Sequence, residues 1–152
     1  MITDKCTERV VHVTNLDKIN HCSLVLMVIG ADLPMDEISA MLDMEPTSVV
    51  RKGDVINRLP RMVAGEDEWV YAHELESPQG RDEIMKGILE KIRRSKEGLE
   101  KVKQFGEVRL RLRVQSDYAQ MAYCLMPETL SDLAGIGLPL DISSISWGEI
   151  GM

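Results

Sequence analysis

The chain has 152 residues, 44% apolar and 28% charged, with a formal net charge of −7. That length suits one domain with a real core, and the acidic balance argues against nonspecific nucleic-acid binding. The longest apolar run, residues 24–29, is far too short for a membrane helix and no signal peptide is visible, so a cytoplasmic protein is expected.

Aromatic residues make up only 4% of the chain against ten methionines, which predicts a core of Leu, Ile, Val and Met. Charge is unevenly spread. Residues 81–113 hold 11 of the 18 basic residues and 6 of the 25 acidic ones, so the remainder is strongly acidic. Cys6, Cys22 and Cys124 are odd in number and widely spaced, a pattern that suits reduced thiols rather than a disulfide framework.

In chain order, the β-branched stretch 9–14 and the turn-like 15–20 predict an N-terminal hairpin or extension over residues 1–22. Residues 23–29 are the clearest strand, with Leu24, Leu26 and Val28 on one face and Val25, Met27 and Ile29 on the other. Both faces are apolar, so this strand is expected to be covered on both sides. A short helix starts near Pro34, with Asp36 and Glu37 in its first turn and Ile38, Met41 and Leu42 as its stripe. Pro46 ends it. Residues 45–69 read as the longest interior stretch without periodicity.

Residues 69–75 form a strand with Trp69, Tyr71, His73 and Leu75 on one face. A long helix from Ser77-Pro78 to about Gln104 follows, with Ile84, Ile88, Leu89, Ile92, Leu99 and Val102 as its stripe and a kink at 95–98. Residues 107–115 alternate strictly, Val108, Leu110, Leu112 and Val114 against Arg109, Arg111 and Arg113. A third helix opens at Pro127, carries Leu130 and Leu133, and closes at Gly135 or Gly137. Residues 138–147 are the last strand, with a bulge expected at Ser143-Ser144.

Positions 33–44 and 125–136 repeat a pattern of Leu, acid, apolar, Ser and apolar residues, which suggests two similar strand–helix halves. The order predicts one α+β domain over 23–152. Its sheet is mostly antiparallel, with helices on one face in a ferredoxin-like arrangement.

The first strand, the helix opening Leu33-Pro34-Met35-Asp36-Glu37-Ile38, the segments Glu45-Pro46-Thr47 and Arg51-Lys52-Gly53-Asp54, and Trp69 occur in an order that resembles the domain of unknown function 4279 family. The closing Gly137-Leu138-Pro139-Leu140-Asp141-Ile142 is similar too. The resemblance covers roughly residues 23–147. It implies a small bacterial or archaeal α+β protein with no established activity, and it does not extend to the arginine strand or the N-terminal segment.

Arg51, Lys52, Gly53 and Asp54 beside Trp69 are the candidate ligand site: a glycine lets backbone N–H groups approach an anion and Arg offers a fork. The competing reading is a plain turn, with Gly53 supplying an unusual backbone angle. Arg109, Arg111 and Arg113 extend this site in the anion-binding reading. With Trp69, Tyr71 and His73 they would also make a basic, aromatic sheet face of the RNA-binding kind. Cross-strand pairing with glutamates is the alternative for those arginines.

No catalytic motif occurs, so an enzyme would be a small hydrolase or transferase using Cys124 with His73. His12, His21, Cys22, His73 and Cys124 lack metal-ligand spacing. No metal or cofactor is expected. The reading is a non-catalytic binding or protein-interaction module that captures an anionic group or an acidic partner surface. The second apolar face of the first strand must be covered by the N-terminal hairpin, the 55–68 loop or a second subunit, and the reading is a homodimer through the sheet face.

Overall fold

The computed structural model describes residues 19–75, 80–118 and 123–149. The expected hairpin over 9–20 lies almost wholly outside them. Seven strands and four helices follow in the order β1 (Ile19–Ile29), α1 (Met35–Leu42), β2 (Ser48–Val50), β3 (Val55–Arg58), β4 (Arg61–Val63), β5 (Glu68–Glu74), α2 (Arg81–Arg94), α3 (Lys96–Val102), β6 (Glu107–Tyr118), α4 (Pro127–Ile136) and β7 (Leu140–Glu149).

β1 runs through the middle of a five-stranded sheet ordered β2-β5-β1-β6-β7. Every neighbouring pair is antiparallel except β6 and β7. This is an α+β fold with a mostly antiparallel sheet. It departs from the ferredoxin-like arrangement. The parallel pair β6–β7 is joined directly through α4, an unsplit β-α-β crossover, while the central pair β1–β6 is antiparallel. The two strand–helix halves are therefore not equivalent. Their matched positions also differ in burial, since Ile38 is buried and its counterpart Leu130 is exposed.

Alternation along the strands decides which side chains meet the helices. Cys22, Leu24, Leu26 and Val28 of β1 and Val108, Leu110, Leu112 and Val114 of β6 pack against Ile38 and Leu42, Met85, Ile88, Leu89 and Ile92, Leu99 and Val102, and Leu133 and Ile136. All four helices thus lie on one face. On the other face, Val25 is 0% exposed and Met27 3%. Val25 sits opposite Ala72 and Arg111, and Met27 opposite Val70 and Arg109. At Val25 and Met27 the cover thus comes from the chain itself, while Ile29, the third residue of that face, is half-buried.

The long helix is two helices. Ser95 breaks it within the expected kink, and its hydroxyl donates to the Leu42 carbonyl at 2.5 Å. Gly98 then passes so close to the end of α1 that a Cβ would sit 1.8 Å from the Met41 carbonyl oxygen. α4 ends at Gly137, whose φ of 74° is the left-handed geometry that favours glycine. β7 keeps unbroken register with β6 from Leu140 to Ser146, so the irregularity lies beyond Ser146 rather than at Ser143-Ser144.

The stretch 45–69 is structured throughout. Thr47 extends the β2–β5 ladder: its backbone N–H and its hydroxyl both donate to the Val70 carbonyl, at 2.8 and 3.2 Å, and its hydroxyl oxygen accepts from the Ala72 N–H at 2.9 Å. β3 and β4 then form a two-stranded hairpin of their own, apart from the main sheet.

Candidate functional site

The Arg51–Asp54 segment is the base of the β3–β4 hairpin. The Arg51 N–H donates to Asp54 Oδ2 at 2.8 Å, the Lys52 N–H to Asp67 Oδ1 at 2.7 Å, the Gly53 N–H to the Ala64 carbonyl at 2.9 Å and the Asp54 N–H to the Arg51 carbonyl at 2.9 Å. Each backbone N–H that could cradle an anion is already taken. Gly53 adopts φ +94° with open space around it, so glycine serves the turn's geometry rather than a close approach. The side chains of Arg51 and Lys52 are exposed and make no ion pair with a described residue.

Trp69 does not join that turn. Its side chain is 0% exposed, and its indole N–H donates to Ser39 Oγ on α1 at 3.0 Å. It locks β5 to α1, the role of a core aromatic with a polar handle. The strand pairing separates the aromatic and basic residues as well. Trp69, Tyr71 and His73 stand opposite Val28, Leu26 and Leu24, on the helix face. Arg109, Arg111 and Arg113 stand opposite Met27, Val25 and Ser23, on the other face. Stacking residues and arginines therefore share no surface, and the sheet of an RNA-binding module is not assembled.

The arginines differ among themselves. Arg109 reaches Glu107 Oε1 at 2.9 Å and Asp141 Oδ1 at 3.2 Å, and Arg111 reaches Asp141 Oδ2 at 3.4 Å. Asp141 on β7 thus holds two guanidinium groups across the strand pair, the cross-strand pairing expected of a structural role. Arg113 is half-buried between Ser23 and Ser143, without an ion pair to a described residue.

Neither Cys22 nor Cys124 offers a free, exposed thiol. Cys124 is disulfide-bonded, which corrects the expectation that all three cysteines are reduced. Cys22 is free and 3% exposed, and burial, with Glu74 adding, pushes its thiol up to about 11 despite the nearby Arg81. His73 Nδ1 lies 3.0 Å from the Glu74 carbonyl. Among the described residues no group of His, Cys, Asp and Glu is arranged to hold a metal ion.

Two of the open clefts on the helical side are lined by charged residues of α2. One of about 370 Å³ lies between α2 and α4, lined by Asp82, Glu83, Lys86, Glu128 and Asp132. Most of those acids stand in the first turns of their helices, where they offset the positive helix ends. The Asp82 carboxyl is held above its usual range, first by burial and then by Glu83. The other, of about 660 Å³, lies between the end of α1 and the α2–α3 junction and mixes Glu90 and Glu97 with Lys91, Arg94 and Lys101.

The hairpin itself is the unusual surface. Every residue from Val55 to Val63 is exposed, Leu59 at the tip by 89% and Ile56 by 54%. Val55, Met62 and Val63 add further apolar area. Arg58 and Arg61 are direct cross-strand partners, and no acidic residue lies between Val55 and Val63. The Leu59–Pro60 peptide at the tip is cis. Sequence reasoning passed over this arm. Its signal was the β-branched or apolar pairs Val55-Ile56 and Met62-Val63 bracketing Arg58-Leu59-Pro60-Arg61.

The family model described as domain of unknown function 4279 matches residues 19–147. The chain belongs to that family. The match opens at the first residue of β1 and spans the arginine strand, so the family's domain in this DUF4279 protein is wider than the motifs alone suggested. No curated protein and no solved structure matches the chain at a significant level. No helix among the described residues is long and apolar enough to cross a membrane.

Proposed function

We propose that this DUF4279 protein is a non-catalytic interaction module whose contact element is the β3–β4 arm, and that the arm takes an acidic protein surface. One observation carries the reading. Arg58 and Arg61 face each other across an exposed apolar hairpin with no carboxylate on it. Like charges directly opposite one another weaken a hairpin, and a lone two-stranded hairpin is only marginally stable. An acidic partner resolves both costs. It pairs the two guanidinium groups and covers the apolar tip, and full burial of a side chain such as Leu59 is worth about 1.5–3 kcal/mol. Arg51 and Lys52 stand at the base of the same arm, beside the carboxylates of Asp54 and Asp67.

The test is a photo-crosslinking amino acid at Leu59, with a control at exposed Lys96 on α3, in cells that make the protein. The expected result is a discrete adduct from Leu59 that Lys96 does not give and that disappears on Arg58→Glu with Arg61→Glu. No adduct at Leu59, or the same adducts from both positions, would remove the arm as the contact element.

A further inference from the structure

The outer side of β7 carries a second, independent surface. β7 is the last strand of the sheet, and no described strand pairs with its outer edge. The Leu110 N–H donates to the Pro139 carbonyl at 2.9 Å, which fixes the alternation along the parallel pair. Pro139, Asp141 and Ser143 turn their main-chain groups toward β6. Leu140, Ile142 and Ser144 turn theirs away from it, toward the open side.

Edge strands are ordinarily blunted by shortness, proline, charge or bulges. β2, at the other edge, has three residues and is bracketed by Pro46 and by Arg51-Lys52. β7 has Pro139 before it and a register shift beyond Ser146, but neither interrupts the span between them. From Leu140 to Ser146 its one charged residue is Asp141, whose carboxylate is held by Arg109 and Arg111. Its register with β6 is unbroken over the same span. Ile142 stands on the helix face beside Leu112, which is 2% exposed, yet Ile142 itself is 65% exposed. The core layer stops one side chain short.

We infer that β7 pairs antiparallel with β7 of a second copy of this chain, centred on Ile142, to make one continuous ten-stranded sheet. In that register Ile142 meets Ile142 of the second copy and Leu140 meets Ser144, with about six main-chain hydrogen bonds between the copies. Asp141 falls opposite Ser143. Sliding the centre by one residue, to Asp141, would bring two carboxylates face to face, which like-charge repulsion disfavours. The contact is isologous and closes at two copies. The second copy suits this edge better than an unrelated strand because in this register the strand packs Ile142 on itself, satisfies its own outward main-chain groups and keeps the two Asp141 carboxylates apart. Both copies are acidic overall, so added salt strengthens the association.

The experiment is sedimentation velocity on the whole protein from low micromolar to near-millimolar concentration, at low and moderate salt. The expected result is a monomer–dimer equilibrium that shifts to dimer with concentration and with salt. Ile142→Pro removes one outward N–H and the apolar contact while leaving the β6 ladder intact. It is expected to give a monomer with an unchanged circular dichroism spectrum. Ile142→Cys places two thiols across the two-fold axis at a spacing that suits a disulfide. It is expected to give a covalent dimer under mild oxidant, whereas Ser144→Cys is not. A wild-type chain that stays monomeric throughout overturns the inference and leaves the edge to a strand of another protein. A dimer that survives Ile142→Pro, or one that Ser144→Cys links as readily as Ile142→Cys, overturns it as well. None of these outcomes bears on the arm, which is tested separately.

Discussion

Gly98 sits where α3 crosses the end of α1, and a methyl group there would overlap the Met41 carbonyl. The obstacle is backbone, so relief requires the two helices to part. Gly98→Ala is expected to cost about 3 kcal/mol, which for a chain of this size lowers the melting temperature by roughly 6–12 °C. A thermal melt decides it, and an unchanged midpoint would show that the helices yield without cost. Cys22 makes a prediction in pH. Its thiol ionises near 9.0 in an exposed setting and is pushed up to about 11 in the fold. The folded state therefore holds a proton that the unfolded chain has lost. The stability contributed by the neutral thiol is complete below pH 9 and declines as pH rises toward 11. Urea titrations of wild type and Cys22→Val should diverge over that interval, with the variant losing less. Native Cys22 should also resist alkylation at neutral pH until the chain unfolds.

At the scale of elements, the arm and the sheet are separable. β3 and β4 share no ladder with the five-stranded sheet, and their apolar side chains stay exposed. Replacing residues 55–63 with a short glycine linker should leave the core melting within a few degrees of wild type while abolishing crosslinking through the arm. Collapse of the fold on excision would mean that the arm supports the sheet.

The sequence announced some elements and hid others for definable reasons. β6 was legible because its two faces differ sharply within one strand, arginine against Val and Leu. The kink at Ser95 was legible from local helix breakers. The arm was not, because two-residue apolar pairs are too short to display a period and the turn between them carries its charge openly. The separation of Trp69 from Arg109 was also hidden. Which face a residue occupies relative to a residue on another strand depends on register, here Trp69 opposite Val28 and Val28 opposite Val108. That register is a property of the assembled sheet. Trp69 could be read as a core residue or as a ligand platform until its partner Ser39 was known. The fold class was thus readable from periodicity, while the candidate site depended on pairings that no single segment records.

For the molecule as a whole, the charge separation seen in the sequence acquires a geometry. Basic residues outside 81–113 include Arg51, Lys52, Arg58 and Arg61, gathered at the arm, whereas the β7 edge is nearly uncharged. An apolar arm tipped by two arginines and a neutral edge are suited to different partners; the arm is inserted in the chain between β2 and β5, and β7 is the edge strand opposite β2.

That opposition has a consequence for how tightly the module holds its target. Two chains joined through β7 would have their β2 edges nine strand spacings apart, about 43 Å, with one arm inserted next to β2 in each chain. A target that presents its acidic patches once is held by one arm. A target that repeats them at a matching interval is held by both, and the second contact then forms at the high local concentration that tethering provides. Occupancy would rise steeply with repeat number without any new contact. The protein would in effect count its target's patches, and weakening β7 would abolish the counting while leaving each single arm's affinity untouched.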